Sequence, residues 1–142
     1  MTSRQQLDEW LKECTHYDPD YRQMRAREIT KVLLTEGVDL VYEEKICLAL
    51  IKQLSDINSE TKSGSVQCIE RIQGKIKEQN YIKILENLCI QMVEEKNEEQ
   101  VSIYSLTLAS MIHNSAEEKA ETVIKIVYSK LYKCLSVINS DI

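Results

Sequence analysis

One proline and three glycines in 142 residues leave this chain few means of building tight turns. Hairpins and loop-rich β folds draw heavily on both residue types, so the scarcity points to helices joined by short polar connectors. Hydrophobic residues make up 43% of the chain, enough for a core, and charged residues 29%, which argues against disorder. The balance of 18 basic against 23 acidic residues gives a formal net charge of −5. A mildly acidic chain is poorly suited to non-specific nucleic-acid binding.

Seven segments carry helical periodicity, and none alternates as a strand. They run at about 3–14, 19–36, 41–54, 59–77, 79–93, 97–112 and 115–138. The first stripe is Leu7, Trp10, Leu11 and Cys14. The second segment opens on Asp18 as N-cap and Pro19 at the first helical position, carries Tyr21, Met24, Ile29, Val32 and Leu33, and stops at Gly37. In the fourth, Gly64 and Gly74 each weaken the helix by about 1 kcal/mol relative to alanine. The sixth is apolar on more than one side, through Ile103 and Leu106, as in a helix packed between neighbours. The last starts with Ser115 and Glu118, a capping-box pair, and keeps an apolar stripe through Ile124, Leu131, Cys134, Leu135 and Ile138.

The connectors repeat. Asp20, Asn58 and Asn97 stand 38 and 39 residues apart, each between the end of one helix and the start of the next. Cys47, Cys68 and Cys89 are 21 apart, one in each of three successive helices. A helix-pair period of about 40 residues is that of HEAT and armadillo units, which stack because no single pair buries both faces. The expected fold is all-α: a HEAT/armadillo-type right-handed α-solenoid of about seven helices. Its approximate repeats are 3–37, 41–77 and 79–113, with a closing helix at 115–138, in one domain spanning 1–142. A non-repetitive helical bundle fits the same stripes.

Chemical constellations are sparse. Gly74-Lys75 lacks the earlier glycine and the following Ser/Thr of a phosphate loop, and dinucleotide fingerprints need more glycines than the chain owns. Cys14-x-His16 is too tight for a zinc half-site and has no second Cys-x-x-Cys. The cysteines fall on apolar stripes, where a thiol acts as a small hydrophobe. The run Glu94, Glu95, Glu98 and Glu99 lacks the spacing of a calcium loop. No catalytic residue, cofactor or metal is therefore expected. Two basic clusters offer docking patches for an acidic protein surface: Arg22, Arg25, Arg27 and Lys31 on the second segment, and Arg71, Lys75, Lys77 and Lys83 across the fourth and fifth. No apolar run is long enough to span a membrane, and Met1 to Asp8 lacks the features of a targeting segment. With an odd, scattered set of five cysteines, this leads to an expectation of a cytoplasmic or nuclear location.

Four stretches carry a resemblance. They are Asp18-Pro19-Asp20-Tyr21-Arg22-Gln23-Met24-Arg25; Asp56-Ile57-Asn58-Ser59-Glu60 with Val66-Gln67-Cys68-Ile69 and Lys75-Ile76-Lys77-Glu78; Leu88-Cys89-Ile90-Gln91-Met92; and Ile103-Tyr104-Ser105-Leu106-Thr107-Leu108 through Ile112. In that order and spacing they resemble the N-terminal HEAT repeats of the cullin-associated, neddylation-dissociated family. The chain departs from that pattern at Thr61 to Ser65, at His113-Asn114-Ser115 and at Val101-Ser102.

The resemblance implies a non-catalytic protein–protein interaction module that binds a cullin's C-terminal region and its RING-box subunit. Its role would lie in the regulation of SCF/cullin–RING ubiquitin-ligase assembly and the ubiquitin-like conjugation pathway. Arg22, Arg25, Lys31, Asn58, Glu60 and Asn97 are the candidate protein-binding residues. Self-association through the C-terminal helix is a further expectation, and nucleic acid and membrane are not expected partners. The alternatives are a HEAT scaffold of a transport or translation complex, or a small helical enzyme built on Cys14 and His16 or on a buried acid.

Overall fold

The computed structural model describes residues 1–115 and 117–140, with side chains for all of these except Glu118 and residues 133–140. The second half of the expected Ser115–Glu118 capping box, and the stripe positions Cys134, Leu135 and Ile138, lie outside the described side chains.

The described residues form seven helices and no strand: α1 (Arg4–Glu13), α2 (Pro19–Thr35), α3 (Leu40–Gln53), α4 (Ser59–Ile72), α5 (Glu78–Glu94), α6 (Glu98–His113) and α7 (Glu117–Ser140). This all-α architecture fits a HEAT-like helical repeat. The largest departure from the sequence reading is α4, which ends at Ile72 instead of running on to residue 77, so Gly74 lies in the turn that follows.

The repeat is visible in the hydrogen bonds of the turns. Asp18, Asn58 and Asn97 are the N-caps of α2, α4 and α6, and each side chain accepts from a backbone N–H two or three residues on. Asp18, not Asp20, is therefore the equivalent of the two asparagines. Two residues before each cap a side chain accepts from the cap's own N–H: His16 Nδ1 at 3.0 Å, Asp56 Oδ1 at 2.8 Å and Glu95 Oε1 at 3.1 Å. Thr15 and Ser55 each donate a hydroxyl proton to the carbonyl three residues back, on Lys12 and Lys52. The turn chemistry recurs because the same polar side chains satisfy the same orphan backbone groups.

Two compact units divide the chain, Met1–Asn80 and Tyr81–Ile142. In the first, α1 packs on α2 and α3 on α4, while α2 lies along α4 and α1 meets α3. That is two helix pairs in two layers. The core is Ile29, Ile46, Leu50, Leu54, Ile69 and Ile72, all fully buried. Leu7, Val32 and Tyr42 form a second cluster, flanked by Trp10, Leu11 and Val38. Buried Glu43 holds the turn after α4, accepting from the Lys77 N–H at 2.6 Å and from Asn80 Nδ2 at 2.9 Å. In the second unit Tyr81, Ile84, Leu85, Leu88, Tyr104, Leu108, Met111 and Val123 are buried. The Tyr81 hydroxyl donates to the Met111 carbonyl.

Tyr21 and Met24, two of the apolar residues of α2, are about half exposed. Leu106 and Ile124 are also exposed, at 68% and 63%.

Candidate protein-binding surface

The candidate contact residues separate by what they touch. Arg22 is buried, and its guanidinium faces inward. Nε and Nη2 donate to the two carboxylate oxygens of Asp56, both at 2.8 Å, and Nη1 donates to the carbonyls of His16 and Tyr17 at 2.8 and 3.0 Å. This fork ties the start of α2 to the α1–α2 and α3–α4 turns at once. Arg25 pairs with Glu13 and Glu28 and lies over the rings of Trp10 and Tyr21. The Glu13 hydrogen bond raises its pKa further. Asn58 and Asn97 are caps, and Asn58 Oδ1 also accepts from the Thr61 hydroxyl and from Gln23 Nε2. Of the six, Lys31 and Glu60 are left exposed on α2 and α4, and among the described residues neither side chain makes an ion pair or hydrogen bond.

Two residues outside that set stand out. Tyr17 and Ile57 precede the caps Asp18 and Asn58 and are 90% and 97% exposed. They occupy one position of the repeat, 40 residues apart. Tyr17 stacks on the His16 ring with centroids 4.3 Å apart, which fixes its direction. An open cleft of about 370 Å³ lies beside the two turns, lined by Leu11, Ala49 and Ile57 and bounded by Arg22 and Asp56. The signal in the sequence is an apolar residue one position before an Asx cap, inside an otherwise polar connector.

Among the described residues, Cys14, Cys47, Cys68 and Cys89 are packed as core. Burial pushes Cys14 and Cys47 up to about 12 from 9.0, and it raises Cys68 as well. A thiol shifted that far loses about a thousandfold of its nucleophilic thiolate at neutral pH. His16, two residues from Cys14, already spends Nδ1 on the Asp18 N–H. Cys14 and His16 therefore do not form an activated pair. Among the described residues no three His, Cys, Asp or Glu side chains converge as a metal site, and no helix is long and apolar enough to cross a membrane.

No protein-family model matches the chain. Curated relatives do. "Cullin-associated NEDD8-dissociated protein 1" of Drosophila melanogaster is 28% identical over 132 residues, covering 89% of this chain and 10% of the relative. The protein of the same name from Dictyostelium discoideum is 25% identical over 138 residues, 95% of this chain and 11% of the relative. "Cullin-associated NEDD8-dissociated protein 2" of Mus musculus is 28% identical over 90 residues, 62% of this chain and 7% of the relative. The chain thus spans about a tenth of the length of the curated relatives it matches. The similarity is distant, and it is consistent with the cullin-associated NEDD8-dissociated family.

Proposed function

We propose that this chain is a non-catalytic docking module that associates with a cullin, at its C-terminal region and RING-box subunit, in the regulation of cullin–RING ubiquitin ligases. The observation that carries this reading is the similarity to proteins named for cullin association, which extends over 89% and 95% of the chain in two of them. The structure supports a binding role in two ways. Cys14, Cys47, Cys68 and Cys89 are buried, and the turns present apolar side chains, Tyr17 and Ile57, at repeat spacing. Aromatic and aliphatic side chains held by a fixed scaffold anchor interfaces well.

The module would act in the cytosol or nucleus, where buried free thiols persist. Self-association is part of the proposal. Ile124, Tyr128 and Tyr132 line an exposed apolar groove on α7 with Ile112 of α6, a face a second copy would cover. Sedimentation as a monomer at high concentration contradicts that part alone.

Co-precipitation tests the central reading. The purified chain should retain a complex of cullin C-terminal region and RING-box subunit. Failure to do so, where a full-length relative binds, removes the cullin assignment.

A further inference from the structure

Parts of the two basic clusters meet within the first unit, because α2 packs along α4. Inward-facing Arg22 and ion-paired Arg25 drop out of the first cluster. What remains, Arg27 and Lys31, continues the i+4 row that starts at Gln23, whose side chain reaches Asn58 at the start of α4. The seam is located by the Cys68 thiol of α4, which approaches the Ala26 carbonyl of α2 at 3.9 Å. Arg27 follows Ala26 on α2 and Arg71 stands three residues after Cys68 on α4, so each guanidinium is carried within a turn of that contact from opposite helices. Lys31 and Arg71 occupy equivalent repeat positions, 40 residues apart, and Lys75 lies in the turn that follows α4. All four side chains are exposed, and among the described residues none of the four is in an ion pair.

The nearby acids do not neutralise this set. Glu28 is taken by Arg25, and Glu70 projects about a quarter turn round α4 from Arg71. Asp20 and Glu60 sit at the other end of the seam, in the first turns of α2 and α4. Cations near helix C-termini complement the helix dipole, which accounts for Arg71 in the last turn of α4. It does not account for Arg27, which stands two turns before the end of α2.

We propose that the Arg27–Lys31–Arg71–Lys75 seam is a docking site for a short acidic segment of a partner protein. Charge complementarity names the occupant. Four unpaired cations flank a seam in a chain of net charge −5, and they call for carboxylates. The axial length favours a short segment. Arg27 to Lys31 covers about 6 Å of helix, room for a few acidic side chains. A long polyanion following the seam would run onto Asp20 and Glu60, and no ring stands among the four cations to stack a base. Two arginines in the set suit bidentate carboxylate recognition.

The proposal does not depend on the cullin assignment, and its test uses neither cullin nor RING-box subunit. A fluorescent glutamate-rich peptide is titrated with the whole chain. Arg27→Glu/Arg71→Glu should weaken binding by about tenfold or more, and binding should fall steeply from about 50 to about 300 mM salt. Lys12→Glu/Lys52→Glu makes the same charge change at exposed positions of α1 and α3, and should leave binding within about twofold. Arg27→Gln/Arg71→Gln provides a milder pair should the reversed charges disturb folding, with the circular dichroism of each variant compared. Equal losses in the two reversed pairs, or no binding by the parent chain, overturn the proposal. So does tighter binding of single-stranded RNA or of anionic vesicles than of the peptide.

Discussion

Arg22 and Asp56 form a two-pronged ion pair, with both bonds at 2.8 Å and side chains only 10% and 11% exposed. They stand 34 residues apart, so the pair fastens one turn of the repeat to the next. Removing either partner leaves a desolvated charge without its counterion. Arg22→Ala or Asp56→Ala should therefore each cost about 3–5 kcal/mol of unfolding free energy. The double variant should lose clearly less than the sum of the two. Denaturant titrations of all four proteins check this. Additive losses would show that the pair is not coupled.

The glycines predict opposite signs. Gly37 ends α2 with φ +76°, a left-handed conformation that a Cβ disfavours. Gly37→Ala should destabilise by about 1–2 kcal/mol. Gly64 lies inside α4, where an added Cβ meets nothing within 4 Å. Gly64→Ala should stabilise by roughly 0.5–1 kcal/mol through helix propensity alone. Thermal melts of the two variants decide the signs.

Alkaline pH should unfold this chain through its thiols. Cys14 and Cys47 ionise at about 12 when folded and at the ordinary 9.0 when unfolded. The folded state holds its protons more tightly, so the stabilisation is complete below pH 9 and is lost as pH rises toward 12. The loss is on the order of 1 kcal/mol per thiol per pH unit in that window. Unfolding free energy measured from pH 8 to about pH 10 should fall more gently in Cys47→Ala than in the parent. Parallel slopes would refute a buried, proton-retaining Cys47.

Tyr17 and Ile57 contribute surface and little else. Tyr17→Ser/Ile57→Ser should keep stability within about 0.5 kcal/mol per site. The same variant should weaken binding to a cullin–RING-box complex by about tenfold if the turn tips are anchors. Loss of stability without loss of binding would reverse that assignment.

The helices were legible because amphipathic period, Asx caps and Pro19 all act locally. Six of the seven helices lie within about two residues of the expected bounds, and α4 alone ran short, stopping before Gly74. The division of the basic residues was not legible. Arg22, Arg25, Arg27 and Lys31 read alike on one helix. What separates them is Asp56, brought in from another turn, and Glu13, supplied by α1. Non-local partners turned two of the four inward or sideways and left two for the surface. The cap of α2 was legible: Asp18 reads as its N-cap, and the bond from the Asp20 N–H bears that out, while the spacing counted from Asp20 picks the wrong aspartate as the equivalent of Asn58. Tyr17 and Ile57 stood in the connectors in plain view, but an apolar side chain in a short turn packs or projects according to its neighbours, which local pattern does not record.

Equilibrium binding to a purified cullin C-terminal region with its RING-box subunit, with and without the ubiquitin-like modifier attached, tests the central claim most directly. The account predicts saturable one-to-one binding by the intact chain. Absence of binding to either form, alongside binding by a full-length relative in the same buffer, would contradict it.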